Sequence, residues 1–324
     1  MSRAWRSWSR FWFEPEPSGA LAVFRICFGV LALLWTLSLL PDLHAFFSKS
    51  GLLPHTTGNE SGTWSLLRPF PGGETVLIAL LLTACVCLAL GLGTRFAAIL
   101  VFVGITSFER RNPFVFNSGD GLMRVMAFYL ALAPAGAALS LDRLRRAPNR
   151  FWELPARAPW AWRLLQVQFS VIYLSAAWAK LRGQTWNDGT AVSYALRVAD
   201  LQRFHAPHFL SHGLLASNFL TYGTLAVELA LGVLVWNRAL RPWVLGAGLL
   251  FHLGIELTIR VGFFSLALFV LYLAWLPPDW PARRLPALLR GGAPARRAAG
   301  GVAASAASTG AATAGAGAAR RPGG

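Results

Sequence analysis

The sequence predicts an all-α, polytopic membrane protein with about eight transmembrane helices, on three observations. Of the 324 residues, 55% are hydrophobic and only 14% are charged, whereas soluble domains carry about 25% charged residues. The apolar residues form long runs, as membrane-spanning helices of about 20 residues require. The net charge is +16, and the basic residues lie between these runs or near the C-terminus. That layout is typical of membrane orientation, and with no nucleic-acid-binding motif we exclude nucleic acid as a partner.

Eight apolar runs are the predicted spans, and together they form one transmembrane domain over residues 19–279. In chain order they cover residues 19–40, 75–91, 96–108, 121–139, 160–179, 219–236, 240–259 and 261–276. The third run is the weakest because it is short between Arg95 and Glu109. Little more than Arg260 and Gly262 separates the last two runs, so we expect one bent hairpin there.

The charge distribution predicts that both termini are cytoplasmic. With the N-terminus inside, the inner segments and the C-terminal region hold 18 of the 30 lysines and arginines, and the outer segments hold eight. Cytoplasmic loops of membrane proteins carry such an excess. We therefore expect a multi-pass protein of the inner cell membrane. Two long outer loops, residues 41–73 and 181–218, are expected to form lids or short helices.

The segments that flank the transmembrane domain are basic. Residues 1–18 interleave Trp and Phe with arginine, which predicts an interfacial helix on the inner leaflet. Residues 280–324 are rich in Ala, Gly and Arg and have no core pattern, which predicts a disordered tail. Anionic lipid headgroups at the cytoplasmic face are the expected partners of this tail.

Ionisable side chains inside the spans are functional candidates because a charge in the bilayer is costly. Lys180 ends the fifth span at its predicted outer end, where a partly desolvated amine is able to act as a base. The alternative is a lysine that only snorkels to the interface. Lys49 is the other lysine, and lysine, unlike arginine, loses its proton in proteins. Glu228, near the middle of the sixth span, is either paired or protonated for structure or tunes a site.

Two further pairs of ionisable residues are four positions apart and therefore share a helix face. In the seventh span, Glu256 could fix the tautomer of His252, or the two residues could form a packing pair. Asp120 and Arg124 at the outer end of the fourth span are expected to form a helix-stabilising pair. Arg25, toward the inner end of the first span, is expected to snorkel or to pair with another span, outside the site.

Histidines and cysteines do not predict a metal site. Three histidines of the second outer loop have spacings compatible with metal ligation on a helix, but Pro207 interrupts the segment and no Cys or acidic ligand completes the set. These residues are His205, His208 and His212. The three cysteines lie inside apolar runs and predict no disulfide framework; they are Cys27, Cys85 and Cys87.

Several short motifs, in order along the spans, resemble the HTTM (horizontally transferred transmembrane) family, which is related to the membrane domain of vitamin K-dependent gamma-glutamyl carboxylase. The resemblance covers most of residues 18–278. Its motifs are Phe24-Arg25-Ile26 with Gly29, Arg111-Asn112-Pro113, Asn117-Ser118-Gly119-Asp120, Tyr173 through Lys180 with Trp186 and Gly189, Glu228, Phe251-His252, and Gly262 with Phe264-Ser265.

The resemblance implies an outward-facing pocket for a lipophilic ligand, with Lys180 as the base that deprotonates a quinol such as reduced vitamin K. Asn117 is the expected orienting group. Gly119 stands where the carboxylase pattern has a histidine, and no large lumenal domain follows the last span. Quinol oxidation, epoxidation or a related proton abstraction is therefore expected rather than peptide carboxylation. The expected ligand-binding residues are His252, Glu256, Asp120, Arg124, Trp186 and Glu228.

A second branch of the resemblance leads to membrane proteins of the sporulation-delaying protein B type. It implies a non-catalytic accessory protein for peptide maturation or export, whose partner is a secreted peptide or another membrane protein. The sequence leaves open whether the chain is an enzyme or such an accessory component.

Overall fold

The computed structural model describes residues 2–52, 65–67 and 72–284, and this part of the chain is mostly helical. Two short strands, β1 (Glu16–Pro17) and β2 (Ala156–Arg157), pair in antiparallel register. The predicted tail lies almost wholly outside the described residues, as does much of the first outer loop. The helices are α1 (Arg3–Phe13), α2 (Gly19–Ser38), α3 (Leu43–Phe47), α4 (Glu74–Leu90), α5 (Thr94–Arg111), α6 (Ser118–Leu132), α7 (Leu141–Arg146), α8 (Trp160–Leu181), α9 (Gln184–Asn187), α10 (Ala191–Arg197), α11 (His208–His212), α12 (Leu214–Val233), α13 (Arg241–Thr258), α14 (Phe264–Tyr272) and α15 (Trp280–Arg284).

Each of the eight predicted spans contains a helix in the described structure. Among the residues that the structure describes, three helical segments are long and apolar enough to cross a membrane, namely Gly19–Ser38, Trp160–Leu181 and Leu214–Trp236. Two more, Glu74–Leu90 and Phe264–Trp275, are apolar but shorter. These segments support the predicted membrane class, whereas the number of crossings stays a prediction.

Some helix boundaries differ from the sequence prediction. The weak third run is part of a continuous helix, α5, which extends beyond 96–108 at both ends. By contrast, α6 ends at Leu132 rather than at 139, because Pro134 disfavours helical conformation at the residue before it. The sixth predicted span begins earlier, since α12 starts at Leu214.

The expected hairpin between the last two spans is present. α13 ends at Thr258 and α14 begins at Phe264, and Gly262 between them has a φ of +59°, a conformation that glycine adopts without steric cost. The loop of residues 181–218, predicted to be the second outer loop, is fastened to this hairpin, because Gln202 forms an isolated β-bridge with Ile259. Helices α9 to α11 confirm the expected short helices of that loop.

Small residues allow the spans to pack closely. A Cβ atom on Gly29 of α2 would lie 2.6 Å from the backbone nitrogen of Ala89 on α4. Such close backbone approach at small residues is typical of helix packing in membranes. Phe24, Phe28 and Phe169 are fully buried in the core that α2, α4, α5, α6 and α8 form.

Arg25 is fully buried and binds main-chain carbonyls. Its guanidinium donates to Leu139 at 2.7 Å, Ala135 at 3.0 Å, Ala138 at 3.3 Å and Ala89 at 3.5 Å. These oxygens belong to the C-terminal end of α4 and to the turns after α6, where carbonyls lack helical partners. Arg25 therefore neither snorkels to the interface nor relies on a side-chain ion pair.

Candidate functional site

Lys180 near the end of α8 forms an ion pair with Glu228 of α12. Its Nζ atom donates to Oε1 of Glu228 at 2.7 Å. The carboxylate side chain is 6% exposed and the lysine side chain is 24% exposed. Trp186 of α9 places its ring centroid 5.3 Å from the ammonium nitrogen. Three residues predicted separately from the sequence thus lie together, and removing either charge would leave the other one desolvated and unpaired.

Tyr173 contacts His252 from the face of α8 that also carries Lys180. It lies seven residues before Lys180 on α8, two turns along the same face. Its hydroxyl is 2.7 Å from His252 Nε2 and 2.9 Å from the hydroxyl of Tyr272. His252 also lies within electrostatic range of Lys180, and Tyr173 within range of Glu228. We call the group of Lys180, Glu228, Trp186, Tyr173, His252 and Tyr272 the Lys180–His252 cluster.

The two tyrosines of this cluster were not among the predicted site residues, because aromatic residues in an apolar run are usually core. Two signals were available for Tyr173. It shares a helix face with Lys180, and a buried tyrosine hydroxyl normally has a hydrogen-bond partner. Tyr272 offered no comparable signal, since its contact with Tyr173 depends on how α14 packs against α8.

The expected contact between His252 and Glu256 is absent. Glu256 instead accepts a hydrogen bond from Arg203 of the second outer loop at 2.6 Å. The residues share a face of α13, but His252 points to Tyr173 and Glu256 reaches the loop. Glu256 therefore does not control the tautomer of His252, whereas a packing contact between the two side chains stays a prediction.

The expected pair of Asp120 and Arg124 on α6 is also absent. Arg124 forms an ion pair with Glu109 of α5. Asp120 accepts from the indole nitrogen of Trp35 at 2.7 Å and from the backbone nitrogen of Asn117 at 2.6 Å. These contacts tie α6 to α2 and α5, so the predicted helix-stabilising pair is replaced by links between helices.

Asn117 caps α6. Its side-chain oxygen accepts from the backbone nitrogen of Gly119 at 2.7 Å, and its amide donates to the carbonyl of Val261 at 3.2 Å. A Cβ atom on Gly119 would lie 2.4 Å from Cα of Phe264. The close approach of α6 and α14 explains why glycine stands at this position. Within the described structure, Asn117 makes no hydrogen bond to Lys180, so its role as an orienting group stays a prediction.

The histidines of the second outer loop form no metal site in the described residues, where no group of three or more His, Cys, Asp or Glu is placed to hold an ion. His208 and His212 stack with ring centroids 4.3 Å apart. His212 Nδ1 is within 2.9 Å of the Ser211 hydroxyl. The three cysteines are free thiols.

A small pocket lies at the other end of the bundle from Lys180. Its lining includes Glu16 next to α2, Trp162 of α8 and Pro278 after α14. None of the predicted site residues belongs to that lining, so the pocket does not represent the ligand site expected near Lys180.

The family comparison covers most of the chain. The model of the HTTM domain matches residues 13–280. The chain belongs to the HTTM family. It is therefore a membrane protein with an HTTM domain, in agreement with the three long apolar helices among its described residues. No solved structure was found to match this chain.

Within the HTTM domain, the predicted site residues fall into two groups. Lys180, Glu228, Trp186 and His252 converge in one cluster. The remaining four residues instead connect structural elements, and these are Asn117, Asp120, Arg124 and Glu256.

Proposed function

We propose that this HTTM protein binds a lipophilic ligand at the Lys180–His252 cluster and removes a proton from a hydroxyl group of that ligand. The observation that carries the proposal is the 2.7 Å contact between Lys180 and the buried carboxylate of Glu228. Away from water, separated charges lose their hydration, so an ion pair and the corresponding neutral pair approach each other in energy. Transfer of one proton from Nζ to Oε1 leaves Lys180 as a neutral amine.

The neutral amine then accepts the proton of the ligand hydroxyl, and Glu228 retains the first proton. The cluster ends with one added positive charge beside the deprotonated ligand, so the two new charges stabilise each other. A phenolic hydroxyl suits this transfer because phenols and alkyl amines have ordinary pKa values of about 10 and about 10.4, and proton transfer is efficient between groups of similar pKa.

The surroundings of Lys180 support an aromatic ligand. Trp186 lies over the ammonium group and offers a large ring for stacking against another ring. Trp178 lies two residues before Lys180 on α8. Its side chain is mostly exposed, as expected for a side chain that faces lipid. A quinol such as reduced vitamin K combines the ring, the phenolic hydroxyl and the lipophilic tail that such a site requires.

We also propose the membrane arrangement of this site. Eight spans with both termini in the cytoplasm would place Lys180 at the outer side of the inner membrane. The charge difference between inner and outer segments supports it, since cytoplasmic segments carry the excess of basic residues. The exposed Trp5, Trp8 and Phe13 of α1 alternate with arginines, which supports a helix lying on anionic lipids of the inner leaflet.

Turnover of a reduced quinone in the presence of oxygen tests the proposed function. The full chain is purified in lipid nanodiscs and supplied with reduced vitamin K, and the oxidised and epoxide products are measured. Lys180→Ala is expected to lower the rate about 100-fold, as loss of a general base does. Lys49→Ala, at the other lysine of the chain, is the matched control and should turn over like wild type.

Two outcomes would contradict the proposal. Equal turnover in wild type and Lys180→Ala would remove Lys180 as the base. No turnover in wild type would favour the accessory role in peptide maturation or export. Labelling of single cysteines placed in residues 181–218 tests the orientation, because access only from the cytoplasm would put the cluster on the inner side.

A further inference from the structure

Arg238 and Arg241 form a basic site where α12 is followed by α13. Arg238 lies in the turn between the two helices and is exposed, whereas Arg241 is the first residue of α13 and is half-buried. The two arginines lie within electrostatic range of each other, and Arg163 of α8 lies within range of Arg241. Three positive charges are thus gathered toward the end of the bundle opposite Lys180.

The acidic residues of the described structure leave this site positively charged. Arg163 is already satisfied, because it forms an ion pair with Glu16 and donates to two further acceptors. Neither Arg238 nor Arg241 has an acidic partner among the described residues. The guanidinium of Arg241 donates from Nε to the carbonyl of Val235 at 2.9 Å and makes no other hydrogen bond in this part of the chain. Its remaining N–H groups are therefore available to an anion from outside the chain.

Aromatic rings hold Arg241 in place. Its guanidinium carbon lies 5.0 Å from the ring centroid of Trp275, which is buried. The ring of Trp275 packs edge-on against Trp236 at 5.0 Å, and Trp236 contacts Phe11 of α1 at 6.1 Å. An arginine in contact with an aromatic face retains the planar edge that binds carboxylate or phosphate groups bidentately. The site is therefore pre-organised by contacts between α1, the α12–α13 turn and the segment after α14.

The beginning of α13 adds to the positive potential. The N-terminus of a helix carries a partial positive charge, which a cation opposes and an anion stabilises. The first turn of α13 contains no acidic residue, and no side chain caps it. Arg241 thus lies where the helix itself disfavours a cation, and a bound anion would offset that cost.

The exposed side chains beside the two arginines favour a lipid as the source of the anion. Trp243, two residues after Arg241, is 79% exposed, and Leu240 is 40% exposed. Exposed tryptophans of membrane proteins are enriched at the level of the lipid headgroups. Helix α1, which contacts the site through Phe11, also exposes tryptophans. The phosphate groups of phospholipids lie at this level of the membrane.

We infer that Arg241 and Arg238 bind the phosphate group of an anionic phospholipid. Arg241 is the central contact, Arg238 is the second cation of the site, and Arg163 contributes charge without contact. The inference assigns one headgroup site to the bundle itself, apart from the general attraction of α1 and the C-terminal tail to anionic lipid. It is independent of the reaction proposed at the Lys180–His252 cluster.

Binding of single lipids to the full chain tests the inference. Native mass spectrometry in detergent micelles measures the dissociation constants of the first bound phosphatidylglycerol and the first bound phosphatidylcholine. Both lipids carry the phosphate, but only phosphatidylglycerol has a net negative charge. We expect phosphatidylglycerol to bind about tenfold more tightly, as one hydrogen bond to a charged group gives. Glycerol phosphate, a soluble headgroup without acyl chains, should not displace it at equal concentration.

The variants assign that preference to residues. Arg241→Gln should reduce the ratio of the two dissociation constants to about three or less, because it removes the central contact. Arg145→Gln, at an exposed arginine of α7, removes the same charge and is the matched control, which should retain the tenfold ratio. Arg238→Gln changes an exposed side chain and replaces the first variant if that protein does not fold; its ratio should also be smaller than that of wild type.

Three outcomes would overturn the inference. Equal affinity of wild type for the two lipids would show that the site does not select an anionic headgroup. Ratios that fall equally in Arg241→Gln and Arg145→Gln would show that net charge alone attracts the lipid. Displacement of phosphatidylglycerol by glycerol phosphate at equal concentration would show that the ligand is a soluble phosphate and not a lipid.

Discussion

Two cations inside the HTTM domain, Arg25 and Lys180, lie toward opposite ends of the bundle and are held in different ways. Arg25 is fully buried and donates to four main-chain carbonyls. Lys180 keeps 24% of its side chain exposed and donates to one carboxylate, that of Glu228. A carbonyl oxygen does not take over a proton, whereas a carboxylate does. The partner of each cation therefore distinguishes the structural role of Arg25 from the chemical role proposed for Lys180.

The choice of side chain agrees with this difference. Arginine has five donors in a rigid fork and does not lose its proton, so it suits a site where several carbonyls need one permanent donor. Lysine presents a compact charge whose pKa responds readily to burial. In a chain with two lysines, the one inside a span is paired with a group that exchanges protons.

The largest effect is expected at Arg25. Arg25→Met should lower the free energy of unfolding by roughly 3–5 kcal/mol, as loss of a buried charged partner does, because four carbonyls lose their donor at once. Unfolding by denaturant in micelles, followed by circular dichroism, measures it. Arg95→Met is the matched control, since the exposed Arg95 reaches one carbonyl, that of Ala131. A loss at Arg25 as small as the loss at Arg95 would contradict a structural role.

A smaller effect is expected at the ion pair, and its signature is non-additivity. Lys180→Met and Glu228→Leu should each destabilise the protein because each leaves one desolvated charge. The double variant should be more stable than the sum of the two losses predicts, by about 1–2 kcal/mol of coupling. The same unfolding measurement on all four proteins gives this value. Additive losses would show that the two side chains do not interact, which would also weaken the proposed proton transfer.

The sequence predicted the helices well because the length of an apolar run is a local property. It also identified Lys180 and Glu228 correctly as unusual, since charged residues inside apolar runs are costly wherever they lie. Gly262 and Arg260 marked the hairpin because they separate two apolar runs, and the position of such a break is also a local property of the sequence. The third span was underestimated because Arg95 and Glu109 were taken as limits, although both lie within α5.

Pairings between helices could not be predicted in this way. Spacing along one helix shows which residues share a face, but not which other element meets that face. Glu256 and Asp120 were therefore given partners on their own helices, whereas the structure gives them Arg203 and Trp35. Gly119 likewise is explained by the backbone of α14, which is remote in sequence.

The smallest effect is expected at Asp142 of α7, a carboxylate within electrostatic range of Arg25. It does not hydrogen-bond to that arginine. It accepts from the backbone nitrogens of Gly93 and Thr94 at 2.8 Å and 3.0 Å, and from the Thr94 hydroxyl at 2.9 Å. Partial burial alone would raise the pKa of Asp142, but these hydrogen bonds outweigh it and hold the pKa below its ordinary value. This acid therefore stays ionised at neutral pH and caps α5.

A lowered pKa in the folded state means that stability is present above the unfolded pKa, about 3.9, and is lost as the pH falls through the folded pKa. Asp142→Asn should cost about 1 kcal/mol or less at neutral pH, because the carboxylate is partly solvated and the loss is that of one helix cap. Unfolding measured between about pH 3 and pH 7 should show the two proteins converging at the acidic end. A difference that stays constant with pH would mean that the charge of Asp142 does not contribute to stability.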